Sequence, residues 1–281
     1  MRPRNPKIHE EGRRVYESYE TLAFERRGTI LTVRLTNPGS RNSVNQKMHE
    51  ELSRVFVDIS RDRETRIVVL RGAEEGRAFC AGGDLHWLET EARTPEGYAE
   101  ILRQGVEIVR SMTALPQPII AMVDGPAIGL GATIALFADI CLMAEDARIA
   151  DPHVGVGVVA GDGGAVIWPL LVGPNRAKEF LMTGEALTGA EAAEMGLVNH
   201  AYSREQLEQE TYRLAERLAK GPRLAIELTK RSVNLFVSQV MNTVLTASLA
   251  MEGITFQTAD HREAVRAFFA KEPPKFGKGQ E

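Results

Sequence analysis

Cysteine is scarce in this chain: Cys80 and Cys141 are the two in 281 residues. Two cysteines give no disulfide framework and point to a reducing compartment. Neither sign of charge dominates, with 34 Lys and Arg against 38 Asp and Glu, a net charge of −4 and a pI near 6.0. That balance argues against nucleic acid or an anionic membrane as the main partner. No apolar run approaches the ~20 residues that cross a bilayer. The first twenty residues are charged and hold no apolar signal-peptide core. Low-complexity segments and tandem repeats are also missing. The expectation is a cytoplasmic protein with no membrane or nucleic-acid partner.

What is present is enough apolar material, 43% of residues, for a sizeable core. Residues 1–18 read as a polar, loosely held arm. Tyr19 to Glu25 and Thr29 to Leu35 alternate like a hairpin. Asn45 reads as the N-cap of a helix through Ile59, with Met48, Leu52, Val55, Phe56 and Ile59 on one face. Short apolar runs at Ile67–Leu70, Ile119–Val123 and Asp139–Ala144 read as buried strands. Ala99 to Leu115 reads as a helix, preceded by a polar, mobile stretch from Glu89 to Gly97. Strands and helices alternate, which predicts parallel pairing through crossover helices. From Pro174 the pattern turns helical, with separate helices over Arg204–Lys220, Gly221–Phe236, Val240–Gln257 and His261–Ala270.

Two glycine-rich turns organise the middle of the chain. Phe79-Cys80-Ala81-Gly82-Gly83-Asp84-Leu85 follows one buried strand. Asp124-Gly125-Pro126-Ala127-Ile128-Gly129-Leu130-Gly131 follows the next and opens a helix. Such a turn exposes backbone N–H groups that have no partner inside the helix, where the helix dipole favours negative charge. Two turns on neighbouring strands can aim two N–H groups at one developing oxyanion.

Together these stretches resemble the two signature loops of the enoyl-CoA hydratase/isomerase (crotonase) superfamily, and the similarity runs from about Tyr19 to Phe276. The resemblance implies an α/β fold: a crotonase-like ββα superhelix with a C-terminal helical region. The implied division is a polar arm over 1–18, a ββα core with an oxyanion hole over 19–202, and a helical region for oligomerisation and site closure over 203–281. It further implies an oxyanion hole made by the N–H groups of Gly83 and Leu130, and an acyl-CoA thioester substrate. Coenzyme A would enter with the substrate, with no permanently bound cofactor. A homotrimer, or a dimer of trimers, is the implied assembly.

An oxyanion hole moves no protons, so an acid and a base are needed. The family's two usual glutamates would fall at Thr133 and His153, and neither is a glutamate here. Ordinary two-glutamate hydration is therefore not expected. What remains is His153 and Asp162, nine apart in a run with five glycines, Gly155, Gly157, Gly161, Gly163 and Gly164. Such a run can turn tightly and bring both ends to one cavity. A histidine near pKa ~6.5 can exchange a proton at neutral pH, and a carboxylate can fix its tautomer. The segment, with Ile167-Trp168-Pro169 after it, resembles the 6-oxocamphor hydrolase branch of the superfamily, which cleaves a carbon–carbon bond in a β-diketone without CoA.

Other residues have plainer readings. Thr133 suits helix packing, Asp84 a helix cap, and Cys80 a small buried site. His9, His49, His86, His200 and His261 read as solvated or structural. The glycine run does not have Gly-x-Gly-x-x-Gly spacing, so a dinucleotide site is rejected. No His, Cys, Asp or Glu pair has metal-site spacing. For substrate binding, the resemblance implies Ser43, Val44, Ala81, Asp84 and Leu85 along a pantetheine channel. It also implies Phe268 and Lys271 near the C-terminus, where the plain alternative is an amphipathic helix with a solvated lysine. Three functions follow: an enoyl-CoA hydratase/isomerase-type enzyme using His153 and Asp162, a C–C bond hydrolase of a small β-dicarbonyl compound, or a non-catalytic binding relative.

Overall fold

The computed structural model describes residues 15–92 and 94–277. The expected N-terminal arm and His9 therefore lie mostly outside the described residues. Six strands make the main sheet, in the spatial order β1 (Leu22–Arg27), β2 (Ile30–Leu35), β3 (Ile67–Gly72), β4 (Ile119–Val123), β6 (Ile140–Ala144) and β9 (His200–Tyr202). The β1–β2 hairpin is antiparallel, and every later pairing is parallel, as in Val68 opposite Ile119 and Ala121 opposite Cys141. A parallel sheet covered on both faces selects unbroken apolar strands. All residues of β3 and β4 are accordingly buried. A second, three-stranded sheet joins β5 (Ala127–Ile128), β7 (Arg148–Ala150) and β8 (Leu187–Thr188). This winding of a main and a minor sheet, followed by helices, is the architecture expected.

Helix Gln46–Arg61 forms where the apolar spacing places it, and the Asn45 side chain accepts the Met48 N–H at 2.9 Å. Its buried face, Met48, Leu52, Val55, Phe56 and Ile59, packs on the helix Pro95–Ala114 and the sheet.

Five expectations need correction, the last concerning the long C-terminal helix. Glu89–Gly97 is not one loop: helix Leu85–Glu91 ends within it, and helix Pro95–Ala114 begins in it, capped by the Thr94 side chain. Proline at the first helical position costs no hydrogen bond. The two helices expected over Gly221–Phe236 and Val240–Gln257 are one, Arg223–Phe256, because nothing between them breaks a helix. The region after Pro174 also holds β8 and the edge strand β9, too short for periodicity to reveal. Within the arm, Tyr16 is held: it stacks on Phe24 at 4.4 Å, and its hydroxyl donates to Asp62.

Helix Arg223–Phe256 is also long and apolar enough, by length and composition, to cross a membrane. That is an exception to the expectation that no such stretch exists. Lys230 fastens this helix to the sheet. Its ammonium lies 2.7 Å from the half-buried Asp139 carboxylate, which also accepts the Ile119 N–H at 2.7 Å.

Candidate active site

The two glycine turns meet edge to edge. Cys80 and Ala127 form a parallel bridge, the Ile128 N–H donates to Cys80 O at 3.0 Å, and the Cys80 N–H donates to Pro126 O at 3.1 Å. Close approach explains the glycines. A Cβ on Gly82 would sit 2.7 Å from Ile128 O, and one on Gly131 would sit 2.8 Å from the Cys80 Cβ. Gly82 and Gly129 also have φ of +89° and +54°, which L side chains rarely adopt. The Gly83 and Leu130 amides follow directly from these contacts. Among the described residues neither N–H has a protein acceptor: Gly83 is bridged to Val44 through its neighbours' groups, and Leu130 opens a helix. Cys80 behind them is buried, and burial pushes its thiol up to about 12, so it is inert.

The glycine run brings His153 and Asp162 together. Nε2 of His153 lies 3.4 Å from Asp162 Oδ2. On the other side of the ring, Nδ1 donates to Asp151, a pairing not anticipated from the sequence. The imidazole also faces the second glycine turn: its Cε1 would lie 3.5 Å from a Cβ on Gly129, one residue from the Leu130 N–H. The Thr133 hydroxyl donates to Asp162 Oδ1 at 3.0 Å. Thr133 is thus a packing residue that also orients the carboxylate.

Burial opposes charge on His153, but Asp151 and Asp162 override it and hold the imidazole well above its ordinary range. Burial likewise opposes ionisation of Asp162, and the His153 charge and the Thr133 hydroxyl override that, keeping the carboxyl low. These shifts favour imidazolium and carboxylate over the neutral pair. Donor atoms of Asp151, His153 and Asp162 lie within 4.8 Å of one another. The two carboxylates meet opposite nitrogens of one ring, Asp151 by a hydrogen bond and Asp162 by a charged contact.

A fourth group, Glu252, comes from the long C-terminal helix. It is buried, and its Oε2 has no hydrogen-bond partner. Burial, with Asp162 and Asp151 adding to it, raises its carboxyl to about 8. Its helix grips the glycine run directly, Ser248 Oγ donating to Gly161 O at 2.9 Å. Ninety-nine residues from His153, on a helix with no motif, Glu252 carries no sequence signal except an acid on an otherwise apolar stretch.

The remaining site candidates divide. Ser43, Val44, Ala81, Asp84 and Leu85 are brought together: the Val44 N–H donates to Gly82 O, the Asp84 N–H to Val44 O and the Ala81 N–H to Arg41 O. The Asp84 side chain caps the helix Leu85–Glu91 through Trp87 N at 3.1 Å. Phe268 and Lys271 end the helix Ala259–Ala270, and both are exposed. Their neighbour Phe269 stacks on His86 at 4.2 Å, which lays the chain's own C-terminal helix beside the first turn. His261 is structural as expected, donating through Nδ1 to Val156 O at 2.7 Å.

Two glycine turns joined edge to edge, with His153 and Asp162 beside the second, sit on a crotonase fold. The chain belongs to the enoyl-CoA hydratase/isomerase family, whose model matches residues 25–279. It is 33% identical over 252 residues to 1,2-epoxyphenylacetyl-CoA isomerase of Escherichia coli, covering 88% of this chain and 94% of that one. Among solved structures it is similar to an enoyl-CoA hydratase/isomerase from Mycobacterium paratuberculosis, with a TM-score of 0.84, 36% identity, and coverage of 89% of this chain and 99% of that one. It also resembles a beta-diketone hydrolase from the cyanobacterium Anabaena sp., bound to (S)-3-oxocyclohexyl acetic acid, with a TM-score of 0.80 and 33% identity over 86% of this chain and 96% of that one.

Proposed function

We propose that the protein acts on an acyl-CoA thioester, holding the carbonyl oxygen with the Gly83 and Leu130 amides while an enolate forms. His153 and Asp162 replace the glutamates of ordinary hydratases. The single observation that carries this reading is the His153–Asp162 contact placed against the Gly129–Leu130 turn. The ion pair contains both an acid and a base. Asp162 accepts a proton from the attacking water, and His153 delivers one to the carbon that carries the enolate charge. A proton then passes from Asp162 to His153 and restores the pair. Glu252, neutral at physiological pH, adds no third negative charge.

A second reading has its own support. The same proton movements suit water attack on one carbonyl of a β-diketone, with the C–C bond breaking to an enolate that His153 protonates. The resemblance to the Anabaena beta-diketone hydrolase favours it. Crotonyl-CoA and cyclohexane-1,3-dione, offered separately, discriminate the two. In either case His153→Ala and Asp162→Asn are expected to lower kcat by about 10²–10⁴-fold, the usual contribution of positioned acid–base groups. Hydration of crotonyl-CoA that survives His153→Ala removes the histidine from the chemistry.

For assembly, we infer a homotrimer or a dimer of trimers built on helix Arg223–Phe256. Its Leu224, Leu228, Leu235, Phe236 and Ile254 are exposed in the protomer, more apolar surface than an isolated subunit leaves in water. Light scattering on the purified protein tests this, and a monomer at micromolar concentration excludes it.

A further inference from the structure

His49 lies outside the proton-transfer cluster, yet its environment is built with care. The ring is buried on helix Gln46–Arg61. The Gln104 amide donates through Nε2 to Glu100 Oε1 at 2.7 Å, which orients that amide. Its Oε1 must then accept from His49 Nδ1–H, also at 2.7 Å. With the proton fixed on Nδ1, Nε2 keeps a lone pair. Among the described residues nothing donates to it. Burial holds the ring below its ordinary pKa, and Asp162 is near enough to act on its charge. Burial thus favours the neutral ring, in which Nε2 is an acceptor.

Beside it stands an unpaired donor. The Trp87 ring packs 5.1 Å from the His49 ring, and its Nε1–H is buried without a partner. A buried indole N–H without a partner is unfavourable, so it belongs with an acceptor. Trp87 sits on helix Leu85–Glu91, whose Leu88 packs against Gly83. An unpaired acceptor and an unpaired donor thus sit on neighbouring rings, next to the helix whose Leu88 meets the Gly83 turn.

We propose that His49 and Trp87 form a specificity pair for a hydroxyl or enol oxygen on the acyl part of the substrate, Trp87 Nε1–H donating to that oxygen and His49 Nε2 accepting its proton. A hydroxyl or an enol satisfies both groups at once, whereas a plain hydrocarbon chain satisfies neither. The substrate class is thereby narrowed to oxygen-bearing acyl groups, including enolised β-dicarbonyls. The inference rests on the acyl-CoA reading for the placement of the acyl chain.

The test compares two pairs of ligands by isothermal titration calorimetry: 3-hydroxybutyryl-CoA with butyryl-CoA, and cyclohexane-1,3-dione, an enol in water, with cyclohexanone. The wild type is expected to prefer the oxygenated member of at least one pair by about tenfold or more, since a site built to hydrogen-bond a hydroxyl rejects its analogue strongly. Trp87→Phe keeps the ring and removes the N–H. His49→Asn keeps a group at Nδ1 and removes the acceptor at Nε2, whereas His49→Gln restores a polar atom there. Trp87→Phe and His49→Asn are expected to reduce the preference to within about twofold while binding of the plain member is unchanged, and His49→Gln to recover part of it. Thermal melting confirms that each variant is folded. If neither pair shows a preference, or if the preference persists in both Trp87→Phe and His49→Asn, the proposal is overturned. If only the diketone pair binds and its preference depends on these residues, the acyl-CoA reading fails and the specificity pair stands.

Discussion

Glu252→Gln probes the most unusual electrostatic feature of the site. Glu252 is buried beside His153, Asp162 and Asp151, and its carboxyl is raised from 4.5 to about 8. In the unfolded chain it ionises at its ordinary pKa. Between about pH 4.5 and 8 the folded state therefore binds the extra proton, and stability falls as pH rises. At about 1.4 kcal/mol per unit, the penalty grows by about 3 kcal/mol between pH 5.5 and 7.5. Glutamine keeps the shape and cannot ionise. Urea denaturation of wild type and Glu252→Gln, at one protomer concentration and at pH 5.5, 6.5 and 7.5, isolates this effect because other titrating groups cancel in the difference. Glu252→Gln should match the wild type most closely at pH 5.5 and gain on it steadily towards pH 7.5. A stability difference that is flat, or that shrinks with pH, would show that Glu252 is already ionised in the folded protein and refute the reasoning.

Other perturbations separate packing from charge. Gly131→Ala should destabilise by about 1–3 kcal/mol, although alanine is the better helix former, because its methyl collides with Cys80. Thermal melting and turnover should both fall, and a raised melting temperature would show that the turns are not pressed together. Lys230→Met leaves the half-buried Asp139 without its partner, whose charge opposes the desolvation that raises the Asp139 pKa. The expected loss is about 3–5 kcal/mol by denaturant titration, partly recovered by adding Asp139→Asn.

The parallel strands are legible in the sequence because burial on both faces leaves little but Ile, Val, Leu, Met and Ala in β3 and β4. The glycine turns are legible for a related reason, since backbone pressed on backbone excludes a Cβ. His153 and Asp162 are near enough in a glycine run for their meeting to be expected. Asp151 pairs with His153 across two residues, but a carboxylate before a proline is also ordinary turn chemistry. Glu252 and the His49–Gln104–Glu100 chain depend on how helices cross, which local pattern does not encode. The uninterrupted helix Arg223–Phe256 was hidden by its polar residues Ser238 and Gln239, which suggest a break but lie within a continuous helix, Ser238 half-buried and Gln239 exposed.

Isotope-edited infrared spectroscopy reads the carbonyl directly. A ¹³C=O label in the thioester of a bound acyl-CoA reports whether the Gly83 and Leu130 amides both donate to it. The stretch should move to lower frequency on binding than in water, and the shift should shrink in Gly83→Pro, which lacks the N–H. A bound carbonyl that absorbs as it does in water, with folded Gly83→Pro indistinguishable from wild type, would contradict the oxyanion-hole assignment on which the proposed chemistry stands.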